Sequence, residues 1–527
     1  MAQPAAMDRL PSELLLHITK YLRASDITHI RNLCLVSKKL LPLAQEVLYA
    51  NATLPLACSC HPTVNSALQL LRTLLENPSL AKHVKTLRFS VVRRNVGQLY
   101  EAEFPKKNFD LVGLQELCSR KLTALGFIEG HPWWASLKNN VESAYAGLLL
   151  CVLPNLTNLQ YTLKELHRGY GVMDPIPAFF GTTAPPAALG TTLAKTLQEL
   201  CMTDLSFLRS MTFENLKVLN ITSVTVPVLL QLNGPNTFRG TKNLSELTVG
   251  MSVFLMDKAC ISDMTVSFRD LLDALGCHAL SKLKIKLEHE TYCALHIPPA
   301  FDIQVLMDQL SCLKLTLRDL EIDLNPSDEP DEWAFILGHC ENPVSSLTHF
   351  ANMESLRIPQ DFLFTTLGDD PQALPHDLPK KLRSLEIVCP NREILAWAKT
   401  MLVTPRECRD LHEIILRCRP TVRSSASTFT KKVKPMWPAL LDSHGITGYV
   451  REFDVQTTQN LVELYSDDPG ESDDEEGWED DDENRDEDDV DGNENSDQDP
   501  GNESDEEMPD LEPFQDAIGM IIDDLGL

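Results

Sequence analysis

The chain has 527 residues, 43% hydrophobic, and a formal net charge of −29 that lies wholly in its last stretch. Residues 463–527 hold 30 Asp/Glu against one Arg, Arg485, while residues 1–462 hold 46 acidic and 46 basic side chains. A neutral body with a polyanionic tail argues against direct nucleic-acid binding, which needs a basic face, and without a basic-then-apolar leader or a run of ~18 apolar residues neither a signal peptide nor a membrane span is expected.

Residues 8–50 have the spacing of a helical unit. Pro11 suits the first turn of a helix, where its missing N–H costs nothing. Leu14, Ile18 and Tyr21/Leu22 then recur every three to four residues as one apolar stripe. Ser25 or Asp26 is placed to cap a second helix, and Ile27, Ile30, Leu33, Val36, Leu40, Ala44, Val47 and Leu48 continue the apolar positions. Roughly forty residues cannot bury that much apolar surface alone, so part of it must face a partner or the next domain.

Leu10-Pro11-Ser12-Glu13-Leu14-Leu15, Ile18, Tyr21-Leu22, Asp26-Ile27, Leu35-Val36-Ser37-Lys38, Leu43-Ala44 and Leu48-Tyr49 together resemble an F-box of the fungal type, over residues 7–50. The stretch from Asp26 to Val36 is about one helical turn longer than that pattern usually has. The resemblance implies three helices that dock a Skp-type adaptor, and through it a cullin. Leu10, Pro11, Leu14, Ile18 and Val36 would line the adaptor-facing surface. A cap on the following repeats is the alternative reading of the same unit.

From residue 84 onward a motif of alternating apolar residues recurs. Its ten copies begin at Val84, Leu156, Leu197, Leu216, Leu244, Leu280, Leu317, Met353, Leu382 and Leu411, as in Leu280-Ser-Lys-Leu283-Lys-Ile285. Such repeats resemble a divergent leucine-rich-repeat solenoid over 51–462, each copy a short strand with its apolar side turned inward. Successive copies are 72, 41, 19, 28, 36, 37, 36, 29 and 29 residues apart, so most units must carry helices or insertions. Asparagine eight residues after the first apolar position occurs once, at Asn325. The expected fold class is therefore α/β: a three-helix F-box, a leucine-rich-repeat-like solenoid and a disordered acidic tail.

Parallel stacking makes Lys284, Glu321, Arg357 and Glu386 lateral neighbours of alternating sign, and matches Lys282 with Asp319 and Lys286 with Asp323. That row is either a polar substrate-binding strip or a solvated face whose charges neutralise one another.

The least regular segment is 90–196. It contains His131-Pro132-Trp133-Trp134, expected on a loop with an indole packed inward or offered to a partner, and a Gly/Thr/Ala/Pro stretch at 181–192 that suggests a loop. Residues 325–332 suggest another. Cys58-Ser-Cys60-His61 lacks a second ligand pair for zinc. The fourteen cysteines run singly with no CxxC, as buried thiols do in a cytoplasmic or nuclear protein. No P-loop, GxSxG, HExxH or dinucleotide-binding glycine turn is present, so neither enzymatic activity nor a cofactor is expected.

The basic stretch 417–434 precedes the tail and is a candidate target for it. Residues 463–508 have almost no apolar side chains and repel one another, which predicts disorder. Ser472, Ser496 and Ser504 each have an acidic residue three positions on, the pattern favoured by acidophilic kinases. Over 509–527, Leu511, Phe514, Ile518, Ile521/Ile522 and Leu525 fall at the spacing of a short amphipathic helix.

The F-box resemblance implies a substrate-recognition subunit of an SCF-type cullin–RING ubiquitin ligase, with catalysis in other subunits and a protein substrate on the repeats. A repeat scaffold without ligase function is one rival. A chaperone or decoy for basic proteins, acting through the acidic tail, is the other.

Overall fold

The computed structural model describes residues 10–25, 27–36, 38–54, 66–97, 109–165, 174–224, 238, 241–256, 267–277, 279–288, 301–324, 337, 339–364, 378–391, 393–403, 410–418 and 424–452. The acidic tail, the 509–527 segment, Cys58–His61, the 325–332 loop and Asp26 lie outside the described residues.

Three helices open the chain: α1 (Ser12–Ser25), α2 (Ile27–Val36) and α3 (Leu41–Ala50). Pro11 precedes α1 instead of sitting in its first turn, and its carbonyl accepts from the Leu15 N–H at 3.1 Å. Leu15, Thr19, Ile30, Leu40, Ala44 and Val47 form the interior of this unit. Helix α3 passes into strand β1 (Asn51–Thr53) with no intervening residue.

The strands that follow are β2 (Thr86–Arg93), β3 (Asn158–Glu165), β4 (Glu199–Met202), β5 (Val218–Val224), β6 (Glu246–Ser252), β7 (Lys282–Glu288), β8 (Phe301–Asp302) and β9 (Asp319–Leu324). They continue with β10 (Cys340–Asn342), β11 (Ser355–Pro359), β12 (Ser384–Val388), β13 (Glu413–Cys418) and β14 (Thr447–Glu452). Twelve form one sheet whose spatial order is the chain order, every neighbouring pair parallel; β8 and β10 pair separately.

Register explains why the motif recurs. Its second apolar residue forms one unbroken lateral line: Leu87, Leu159, Leu200, Leu219, Leu247, Leu283, Leu320, Leu356, Leu385 and Ile414. None of the thirty motif positions is more than 5% exposed. Alternate residues of a strand point to opposite faces, so these side chains meet the helices in a single core. Removing a leucine from it costs about 2–5 kcal/mol.

The turns entering the strands form a second ladder. One carbonyl accepts two successive N–H groups of the next turn, as Lys85 does from Thr157 and Asn158, Ser281 from Arg318 and Asp319, and Glu354 from Arg383 and Ser384. Side chains just before the motif add to it. Asn155 donates to Lys82 O, Asn215 to Lys195 O, Asn243 to Glu214 O and Asn352 to Leu315 O, at 2.6–3.0 Å.

The segment 90–196 is more regular than its composition suggests. It holds α4's partners: α4 (Ser66–Glu76) packs with α5 (Leu111–Ala124) and α7 (Glu142–Cys151), and α6 (Pro132–Lys138) lies between the latter two in sequence. His131 caps α6, with Nδ1 accepting from the Trp133 N–H, and Pro132 takes the first helical position. The tryptophans therefore sit on a helix, not a loop. Both point inward, Trp133 donating Nε1–H to Ala144 O at 3.0 Å and Trp134 to Phe127 O at 3.2 Å. Arg94 and Glu142, both buried and 2.8 Å apart, join the end of β2 to the start of α7. The 181–192 stretch contains a helix at Ala187–Thr191 rather than being all loop, preceded by Gly181 in the left-handed region (φ 69°).

Two strands of the large sheet, β1 and β14, carry no motif copy. The nine described cysteines are free, five of them buried. No described helix is long and apolar enough to cross a membrane.

Candidate functional site

Two surfaces gather the side chains singled out in the sequence. The first is on α1. Leu14 is 50% exposed, Ile18 37% and Tyr21 79%. At intervals of four and three residues they share one face, while Leu15 and Thr19 turn inward. Thr19 satisfies its hydroxyl on Leu15 O at 2.7 Å. Pro11 is exposed and Leu10 half-buried at the start of this face, and Leu35 on α2 is exposed as well. The side chain of Val36 lies outside the described residues.

Arg23, in the last turn of α1, orients this face. Its guanidinium donates through Nη1 to Val47 O and through Nη2 to Asn51 O at 2.6 Å. One side chain thus ties α1 to the end of α3 and to the first residue of the sheet. Burial lowers the Arg23 pKa.

The second surface is the sheet face opposite the motif leucines. Lys284, Glu321, Arg357 and Glu386 occupy one row on β7, β9, β11 and β12, in direct register. Lys284 Nζ lies 2.6 Å from Glu321 Oε1. Arg357 pairs through Nη1 with Glu321 and through Nη2 with Asp323, and its Nε is 3.4 Å from Glu386 Oε1. Glu386 also pairs with Arg417. Arg417 appeared in the sequence only as part of a basic stretch. It joins because its register places it two residues beyond Ile415, the direct neighbour of Glu386. Lys282 with Asp319 and Lys286 with Asp323 are register partners too.

The environment pulls the two central carboxyls apart. Burial pushes Glu321 up, but the hydrogen bond and charge of Lys284, with Arg357, outweigh it and hold the group below its usual value. At Asp323 burial wins over Arg357 and Lys284, and its pKa is raised. Bonded in this way, the charges of the row meet partners of opposite sign from β7 to β13.

Farther along the same face the chemistry changes. Gln160, Cys201, Asn220 and Thr248 on β3 to β6 are the uncharged register neighbours that lead to Lys284. At the other end, Tyr449 on β14 is 43% exposed, and the Arg451 guanidinium lies over its ring, 5.7 Å from the centroid.

Among the described residues no group of three or more His, Cys, Asp or Glu could hold a metal ion. No family model matches the chain, and no curated protein matches it in sequence.

Proposed function

We propose that the chain is the substrate-recognition subunit of an SCF-type cullin–RING ubiquitin ligase. In this reading α1–α3 are an F-box-type unit that docks a Skp-type adaptor, the serial parallel sheet is a leucine-rich-repeat-like solenoid that holds a protein substrate, and the covalent chemistry belongs to other subunits. The observation that carries it is the stripe Leu14, Ile18 and Tyr21 left exposed on α1. A helix in a small unit that has already buried its other apolar side needs no second one for its own stability. A cluster of apolar anchors on one helical face is what a docking interface uses.

The test is co-purification of the full chain with a Skp-type adaptor, comparing wild type with Leu14→Asp/Ile18→Asp. Both positions face solvent, so the variant should keep its circular dichroism and melting temperature while losing the adaptor. A folded wild type that binds no adaptor would overturn the proposal and favour the repeat-scaffold alternative.

A further inference from the structure

We infer that the outer edge of β14 is a docking site for an extended, carboxylate-rich segment of a partner protein, which adds beside β14 as a further strand and sets an acidic side chain against Arg451. This goes beyond adaptor docking and stands whether or not α1 binds an adaptor.

The two ends of the large sheet are finished differently. At the first, α3 runs directly into β1, and Arg23 occupies the carbonyl of Asn51. At the last, β14 pairs with β13 from Glu413↔Thr447 to Cys418↔Glu452, and no described strand pairs its other side. An edge of this kind presents alternating N–H and C=O groups ready for another strand. The β14 side chains divide accordingly. Gly448 and Val450 lie on the packed side, against the helix Ser424–Asp442 and the core. Thr447, Tyr449 and Arg451 are exposed on the other.

Charge identifies the occupant. From β7 to β13, Lys284, Arg357 and Arg417 are each met by a carboxylate on an adjacent strand, through Glu321, Asp323 and Glu386. That alternation breaks at β14, where the register neighbour of Arg451 is Arg417, a second cation. The contact shown for Arg451 is the ring of Tyr449. A carboxylate restoring the alternation would come from a strand beyond β14. Glu413 faces Thr447 at the opposite end of the pair, so the acidic group belongs at the Arg451 end. The edge offers main-chain pairing to a polypeptide, and two neighbouring arginines fall short of the basic stripe that nucleic acid needs.

The test uses fluorescence anisotropy of the full chain with labelled ten-residue peptides, in low salt. One peptide alternates Glu with Val and Thr, a second has Gln for Glu, and two more carry N-methyl groups on alternate amides in the two possible frames. The Glu peptide should bind. Arg451→Gln should weaken it about tenfold, as loss of a single anchoring arginine does, whereas Arg88→Gln, exposed on distant β2, should not. Only one methylated frame should lose binding, because only alternate N–H groups face the edge. The inference is overturned if the Glu peptide does not bind, if the Gln peptide binds as well, if Arg451→Gln changes nothing, or if both methylated frames behave alike. Binding of a single-stranded oligonucleotide at Arg451 in place of the peptide would overturn it too.

Discussion

Lys284 and Glu321 stand opposite each other on β7 and β9 with 2.6 Å between Nζ and Oε1, the first link of a chain of charges crossing to Arg417. Arg357 is its hub, touching Glu321, Asp323 and Glu386 with only 14% of its side chain exposed. Removing one partner from a largely buried ion pair leaves the other charge uncompensated. Arg357→Met should therefore destabilise the protein by about 2–4 kcal/mol, read as a lower urea midpoint. Adding Asp323→Asn to it should recover part of the loss, because the carboxylate left facing the missing guanidinium is then neutral, while Glu321 and Glu386 keep Lys284 and Arg417 as partners. An unchanged midpoint for Arg357→Met would mean that the row is solvated and contributes little.

Arg23 invites a different experiment, because its two acceptors are main-chain carbonyls of separate elements. Arg23→Ala removes both bonds, at a part-buried Val47 O and an Asn51 O open to water, and should cost about 1–3 kcal/mol, the worth of hydrogen bonds from a charged donor. The more telling readout is local: amide exchange in α1 should quicken relative to β3–β7, since the tie between helix and sheet is gone. Arg23→Lys, with one point charge for two acceptors, should fall between. Uniform exchange across the chain in Arg23→Ala would show that the packing of α2 and α3 alone positions α1.

Much of the sheet is legible in the sequence, since a buried strand face forces apolar residues at every second position and the motif copies share one register. The lateral match of Lys284, Glu321, Arg357 and Glu386 follows from that same register. What escapes notice does so for physical reasons. Asn155, Asn215, Asn243 and Asn352 act through the backbone of the preceding turn, a partner that local pattern does not reveal. The Trp133 helix was obscured by Pro132, which breaks a helix inside it yet opens one at its first position. Strand β14 lacks the large aliphatic residue that marks the ten motif strands, because Gly448 stands where Ile414 stands on β13.

That glycine makes its own prediction. A Cβ at Gly448 would lie 3.0 Å from Leu441 Cδ1 and Trp437 Cδ1 and 3.1 Å from Pro438 Cα. Trp437 is fully buried and donates Nε1–H to Ile414 O at 3.2 Å, so it cannot readily give way. Gly448→Ala should cost about 1–3 kcal/mol by overpacking, and Gly448→Leu should detach β14 and with it any ligand at Arg451. The alanine variant melting at the wild-type temperature would contradict the close approach of helix and strand.

Asp204 gives the fold a pH dependence. Burial pushes its carboxyl from an ordinary 3.8 to about 6, against the opposing hydrogen bonds from the Ser206 N–H and the Tyr161 hydroxyl, the latter at 2.9 Å. Between those values the folded chain keeps a proton that the unfolded chain has released, so this group lowers stability progressively as pH rises through the window. Below 3.8 it has no effect, and above about 6 the full cost of burying the charge is present, of order 2–3 kcal/mol. Asn at this position still accepts from Ser206 through Oδ1 and carries no charge at any pH. The difference in melting temperature between Asp204→Asn and wild type should grow in favour of the variant from pH 4 to pH 6 and then level off. A difference that stays constant over that range would mean the carboxylate is ionised at little cost, its hydrogen bonds from Tyr161 and Ser206 compensating for burial.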